Sequence, residues 1–288
     1  MKLLEDIIGK NYKVYQLKSL RHRLAQKIQR SDMPKQSVRL IVTQGGQKYK
    51  LISFSSDNIS RWQYIRTIKP FLDVLDFVPQ IIYFGDTDIL MKYVEGLSPQ
   101  VDDNKFSSLL GRNMSQIHKL NVEYISKENI QRDIKQWLDY LVGKGALTVG
   151  FAEMIFKKLL LNSPPKIRMS MVYEDQNAQN FIIDLDGEKL YFPDLDSFSY
   201  GITGFFLYRD SVIDKISKKH FWESYFGEGG DEYLLKNDFF ISHMADIFVA
   251  ANSLRLFYEL PIYELRRKIR RLRQSKARIK RLTREILN

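Results

Sequence analysis

Asp175, Asn180, Asp194 and Asp196 are spaced so that a proton acceptor and several hard oxygen ligands flank one short hairpin. Their segment, from Val172 to Asp196, reads V-Y-E-D-Q-N-A-Q-N-F-I-I-D-L-D-G-E-K-L-Y-F-P-D-L-D. An apolar run (Phe181–Ile183), a turn (Asp184-Leu185-Asp186-Gly187) and a second apolar run (Leu190–Phe192) separate the amide from the later carboxylates. Magnesium takes oxygen ligands from one or two carboxylates, from amide carbonyls and from phosphates. Asn180 and Asp194 offer one carbonyl and one carboxylate. Asp175, deeper in the loop, is available to accept the proton of an attacking hydroxyl. Asp196 shares a face with Asp194 in an extended segment and could help hold a second metal. Such a set suits phosphoryl transfer. The competing reading is an acidic surface hairpin whose Asp-Leu-Asp-Gly is only a turn. A D-x-x-x-x-N match alone is common, and Asp194 at hairpin spacing is what favours chemistry.

The segment resembles the catalytic core of the aminoglycoside phosphotransferase and choline kinase family, a branch of the protein-kinase-like fold. The family pattern is H-G-D-x-x-x-x-N, an apolar strand, an acidic turn, another strand, then I-D-W/F-[DE]. The match runs through Asp175, Asn180, Phe181-Ile182-Ile183, Asp184-Leu185-Asp186-Gly187, Asp194 and Asp196. The resemblance implies an α+β, bilobal fold: a small lobe with an antiparallel sheet and a larger, mainly helical lobe, with ATP between them. It implies Asp175 as catalytic base and Asn180 and Asp194 as Mg²⁺ ligands, with Asp196 added to that set. Two positions depart from the pattern: Tyr173 stands where the family has His, and Glu174 where it has Gly. The family His mainly supports the loop.

The elements that must position these residues fall in the order the resemblance requires. Val38–Val42 and Tyr49–Phe54 flank Gln44-Gly45-Gly46-Gln47, a β-hairpin with a Gly-Gly turn. A helix follows from about Ile59, broken or kinked near Pro70. Ile81–Phe84 reads as a strand. Ile89–Gly96 is similar to the strand and hinge where the family's adenine meets backbone groups, which makes Met91, Tyr93 and Val94 the candidate nucleotide contacts. Leu109–Leu120 resembles the helix that opens the larger lobe. The implied organisation is a nucleotide lobe over residues 1–95, a catalytic and acceptor lobe over 96–261, and a basic amphipathic helix over 262–288. Kinases of this fold also carry a strand Lys on the phosphates, paired with a Glu on the next helix. The expected register puts Ile52 or Ser53 at that position, with Lys48 and Lys50 earlier in the strand, and Lys50 is the strand candidate. The next helix, Asn58–Arg66, has no Glu. Lys18, Arg21 and Arg23 are further basic candidates for the phosphates.

At 288 residues the chain can hold one large or two small cores, and its 44% hydrophobic and 13% aromatic content argues against general disorder. With no cysteine there is no disulfide framework, thiolate zinc site or Cys nucleophile. His22, His118, His220 and His243 lack metal-ligand spacing, and His118 sits among core neighbours in an amphipathic helix. Acids interrupt the first residues too early for a signal sequence, and no apolar run approaches a spanning helix. A soluble, cytoplasmic protein, peripheral to the inner membrane face at most, is the expectation.

The charge is uneven. From Arg266 to Asn288 there are eleven Lys and Arg against one acid, Glu285, so this tail carries nearly all of the net +11. Leu265, Ile269, Leu272, Ile279 and Ile286 fall on an alternating four-and-three spacing, with Lys276 and Thr283 in the missing steps. The pattern describes an amphipathic helix with a narrow apolar stripe. The stripe could dock on the large lobe and leave the basic face solvated. The basic face could instead meet an anionic membrane surface or another polyanion, or the helix could pair with a second copy. No reader motif supports sequence-specific nucleic-acid recognition.

The function these residues imply is ATP- and Mg²⁺-dependent phosphorylation of a hydroxyl on a small molecule: a sugar, an amino alcohol, an aminoglycoside or a glycolipid sugar. The alternative is a pseudokinase that kept the fold as a binding or scaffolding protein, favoured by Tyr173, Glu174 and the missing Lys–Glu pair.

Overall fold

The computed structural model describes residues 7–9, 11–16, 36–56, 59–210 and 212–287. Contacts divide the chain into two compact units, Met1–Pro99 with Gln179–Asp196, and Gln100–Ala178 with Ser197–Asn288. The class is α+β, with an antiparallel five-stranded sheet near the N-terminus and a mainly helical C-terminal part.

In the first unit, β1 (Tyr12–Gln16), β2 (Gln36–Thr43), β3 (Lys48–Phe54), β4 (Ile81–Phe84) and β5 (Asp88–Lys92) form one sheet in the order β1-β2-β3-β5-β4. The β2–β3 turn closes as its Gly-Gly pair requires: Gly46 takes φ +79°, and its N–H donates to the Thr43 carbonyl at 3.0 Å. Period-two alternation sends Leu51 to one face, where it packs with Ile41 and Leu90. It sends Lys50, Ile52 and Phe54 to the other. Helix α1 (Ile59–Leu72) buries Trp62, Ile65, Ile68 and Leu72, spaced three or four apart. The expected break near Pro70 does not occur: the helix continues two residues past it, with Pro70 in the final turn.

A second, three-stranded sheet joins β6 (Gly96–Leu97), β9 (Ile182–Asp184) and β10 (Leu190–Tyr191). Gly96 is required there, because an added Cβ would lie 2.0 Å from the Ile183 carbonyl oxygen. The acidic turn between β9 and β10 is fastened by its own side chain. Asp184 Oδ1 accepts from the N–H groups of Glu188 at 2.8 Å and Lys189 at 3.1 Å.

In the second unit, β7 (Glu123–Ser126), β8 (Lys166–Tyr173) and β11 (Phe198–Ile202) form an antiparallel sheet in the order β11-β8-β7. Around it lie α2 (Asn104–His118), α3 (Lys127–Gly143), α4 (Val149–Leu161), α5 (Phe205–Arg209), α6 (Lys218–Gly227), α7 (Tyr233–Lys236), α8 (Asp238–Glu259) and α9 (Leu265–Leu287). Helix α2 starts five residues before the expected Leu109, because Asp103 caps it by accepting the Lys105 N–H at 2.8 Å. Phe221 and Tyr225 of α6 are fully buried, as the sequence pattern suggested for that aromatic run.

Helix α9 packs on α8 through only part of the expected stripe: Ile286 is buried and Leu272 and Ile279 are half-buried. Its buried residues are Ser275, Arg278, Leu282 and Ile286, while Leu265 and Ile269 are exposed. Charge explains the rotation. Asp246 of α8 is fully buried, and it is matched only when Arg278 and Arg281 face it; Arg281 Nε lies 2.6 Å from its carboxylate. Arg281 also meets Asp214 at 2.7 Å, and Glu285 meets His243 at 3.3 Å. Among the described residues no helix is long and apolar enough to cross a membrane.

Candidate active site

The chemistry-bearing residues fall into two groups, one in each unit. Asn180, Asp194 and Asp196 belong to the first unit with Lys50; Asp175 belongs to the second.

In the first unit the β9–β10 register pairs Ile183 with Leu190 and Ile182 with Tyr191. Extending that ladder brings Asn180 and Asp194 to the same open end of the hairpin. Hairpin geometry thus explains how two residues fourteen apart in sequence come to one end of the hairpin. Phe192, between them and the turn, is fully buried against Phe181 and Phe77, with ring centroids 4.7 and 5.1 Å away. Its N–H donates to the Phe77 carbonyl at 3.0 Å.

Lys50 reaches this end of the hairpin. Its ammonium donates to the Pro193 carbonyl at 3.0 Å, one residue before Asp194. Burial pushes the Lys50 pKa below the ordinary lysine range, while the Asp194 and Asp196 carboxylates push it back up. Lys48, on the same strand, is exposed and paired with Glu95. Two residues of strand span about 6.7 Å, comparable to the reach of an extended lysine. From its own backbone position the Lys50 ammonium therefore reaches the level of Ile52, one of the two expected positions.

The helix that lacks a Glu supplies an Arg instead. Arg61 of α1 donates to Asp196 Oδ2 at 2.8 Å, so the outer carboxylate is tied to the helix by a charge pair of opposite sense. Lys18, Arg21 and Arg23, the other basic candidates, lie outside the described residues.

Of the three hinge candidates, Met91 is fully buried in β5, opposite Lys50 in register. Tyr93 donates its N–H to the Lys48 carbonyl at 3.1 Å, which closes the edge of the sheet there. Val94 is half-buried. Tyr93 and Val94, with Lys92 and Glu95 beside them, border a cavity of about 500 Å³ whose other walls come from residues between Leu72 and Ile81, Asp184 and Tyr191. Lys50, Asn180 and Asp194 do not line it.

In the second unit β8 delivers Asp175 to a loop braced mainly through its backbone. The Glu174 N–H donates to the Ser197 carbonyl at 2.7 Å, and Gln176 Nε2 donates to the Tyr173 carbonyl at 3.0 Å. Arg209 donates to the Glu174 carbonyl and pairs with Asp210 at 3.0 Å. Asp210 accepts in turn from the Gln176 N–H at 3.4 Å. Arg278 of α9 continues the series, donating to the Arg209 carbonyl at 3.0 Å. Asn177 Nδ2 donates to Asp175 itself. Tyr173, which stands in the His position, is fully buried and edge-on to Phe198 at 5.0 Å. Here packing and the Arg209–Asp210 pair hold the loop.

His118 behaves as the core residue its helix implied. It is buried, with Nδ1 3.1 Å from the Tyr225 hydroxyl, and burial, reinforced by Arg168, lowers its pKa to about 3. Arg61, Arg209, Asp210 and Arg278 were not anticipated. No local motif marks them, because each acts on a residue at least 34 positions away.

No family model and no curated protein matches the chain. Solved structures do. A macrolide 2′-phosphotransferase from Brachybacterium faecium aligns with a TM-score of 0.65 at 12% identity, covering 94% of this chain and 95% of that one. The chain has the aminoglycoside phosphotransferase fold. An ADP-bound aminoglycoside phosphotransferase, APH(2″)-Ib, aligns with a TM-score of 0.58 at 16% identity, over 96% of this chain and 97% of its own. Plasmodium vivax ethanolamine kinase gives 0.60 at 12% identity, over 95% and 85%. The kinase-like architecture implied by the hairpin motif is therefore observed over nearly the whole chain.

Among the described residues no three His, Cys, Asp or Glu side chains gather as a ready-made cation site. The donors at the hairpin end, an amide oxygen and a carboxylate, still suit Mg²⁺, which commonly completes its shell with substrate phosphates and water.

Proposed function

We propose that this chain transfers the γ-phosphoryl group of ATP to a hydroxyl of a small molecule. The observation that carries the reading is Lys50, held at the Pro193 carbonyl beside Asp194. It supports a hairpin end built to hold phosphate and cation charge together. In this reading Lys50 binds phosphate oxygens, and the hinge residues Met91, Tyr93 and Val94 lie along the adenine. Asn180 and Asp194 would hold Mg²⁺, with Asp196 as a further carboxylate for a second ion. When bound, the cation would neutralise charge on the β- and γ-phosphates. Asp175 orients the acceptor hydroxyl and takes its proton. The acceptor oxygen then forms a bond to the γ-phosphorus as the bond to the bridging oxygen breaks and ADP departs.

The acceptor is a sugar, an amino alcohol, an aminoglycoside or a glycolipid sugar. Beyond nucleotide and acceptor, the partner in this reading is a polyanionic surface met by α9. Its place of action is the cytoplasm, up to the inner membrane face. A second reading, a pseudokinase used for binding or scaffolding, is favoured by Arg61, which occupies the helix that would carry the partner Glu of Lys50.

Incubation with γ-labelled ATP, Mg²⁺ and a panel of such acceptors separates the two. Acceptor-dependent transfer is expected, reduced about 10²–10⁴-fold by Asp175→Asn. Binding of Mg-ATP without transfer to any acceptor would instead support the pseudokinase.

A further inference from the structure

The two faces of helix α9 do different things. At roughly 100° per residue, the buried Ser275, Arg278, Leu282 and Ile286 occupy one side. The opposite side carries Arg266, Arg270, Arg273, Lys276, Lys280 and Arg284, all exposed. Arg284 meets Glu285 at 3.4 Å; the other five make no ion pair among the described residues. Glu285, the helix's only acid, points away from this side toward His243 and Arg281.

The same side also carries apolar residues. Leu265, Ile269 and Leu287 are 56%, 40% and 61% exposed, and Tyr263, just before the helix, is 83% exposed. Toward the C-terminal end lies an open depression of about 550 Å³, lined by Ala277, Lys280, Arg281, Thr283, Arg284 and Leu287. Arg281 is engaged by Asp246 and Asp214, so Lys280 and Arg284 are the cations the depression presents beside Ala277, Thr283 and Leu287.

We propose that this face of α9 docks the protein on a phospholipid bilayer rich in acidic headgroups, with the helix lying in the plane of the surface. Cations spread along about 27 Å of helix match a surface charge. Leu265, Ile269 and Leu287 gain by entering the acyl boundary, as in other interfacial helices. A nucleic acid would use the cations but offers aliphatic side chains nothing, and its bases call for stacked aromatics where this face has one Tyr. A second copy would set one cationic face against another. The buried side fixes the outcome for the rest of the unit. Arg278 and Arg281 pin α9 to Asp246, Asp214 and the Arg209 carbonyl, so docking holds the unit that carries Asp175 at the lipid surface. The inference makes the polyanionic partner of the proposed function specific. It rests on charge and exposure, and only its consequence for a lipid-borne acceptor rests on the phosphotransfer reading.

The test is flotation of the full-length protein with vesicles of phosphatidylcholine alone or mixed with phosphatidylglycerol, at low and high salt. The mixed vesicles are expected to bind at least about 10-fold more tightly, with the preference falling as salt rises. Replacing Arg270, Arg273, Lys276 and Lys280 together by Gln should weaken binding about 100-fold or more without changing the melting temperature. Leu265→Ser with Ile269→Ser should lower the binding that remains at high salt. No preference for phosphatidylglycerol, or full retention by the four-Gln variant, would overturn the proposal. So would tighter binding to a short single-stranded RNA with vesicle binding indifferent to the two Ser changes, an outcome that assigns the face to nucleic acid. ATP turnover is not read, so failure of docking and failure of phosphotransfer remain distinguishable.

Discussion

The hairpin segment of the first unit and the Asp175 loop of the second are secured by different forces. At the hairpin, charge answers charge: Lys50 lies by Asp194, and Arg61 grips Asp196. Around Asp175 the fastenings fall mostly on backbone groups, with Glu174 and Gln176 bound to Ser197, Arg209 and Asp210. The difference fits the tasks proposed for each. A group that receives a highly charged nucleotide needs cations and carboxylates poised to exchange partners. A proton acceptor needs fixed geometry, since small misplacements of a reacting group are costly.

That contrast can be broken from either side. On the hairpin side the larger effect of the pair is expected at Lys50, half-buried and close to two carboxylates. Lys50→Met removes the ammonium proposed to meet the phosphates and leaves Asp194 and Asp196 without its charge, so turnover should fall about 10²–10³-fold, with weaker nucleotide binding in parallel. A variant that binds nucleotide normally would show that Lys50 is only structural. A smaller effect is expected at Arg209. Arg209→Ala frees the Glu174 carbonyl and strands Asp210, and should lower kcat about 10- to 100-fold while the nucleotide KM stays near its native value. A change in nucleotide KM as large as that in kcat would erase the distinction between the two regions.

Much of this was legible in the sequence, for local reasons. Gly45-Gly46 and Asp184–Gly187 announce turns, and the apolar runs on either side fix the strands. The hairpin between Asn180 and Asp194 therefore identified the fold at 10–16% identity to its structural neighbours. Lys50 was harder to place, because counting positions along β3 ignores the length of a lysine side chain. The orientation of α9 was read only in part, because its apolar spacing was weighed and the buried Asp246 of α8 was not. One carboxylate in the core turns the helix so that Arg278 and Arg281 face inward and Leu265 and Ile269 face out. Arg209 and Asp210 left no trace at all. They act across 34 or 35 residues on a loop they meet only after folding.

Mg-ATP-dependent stabilisation, compared between the native chain and Asp194→Ala, tests the central assignment most directly. A ligand bound only by the folded state raises stability by about 2.7 kcal/mol at a hundredfold excess over its dissociation constant. The native protein should show an upward melting shift with Mg-ATP, and Asp194→Ala should abolish it. No shift in the native protein at saturating nucleotide, or a shift that survives Asp194→Ala undiminished, would contradict the account.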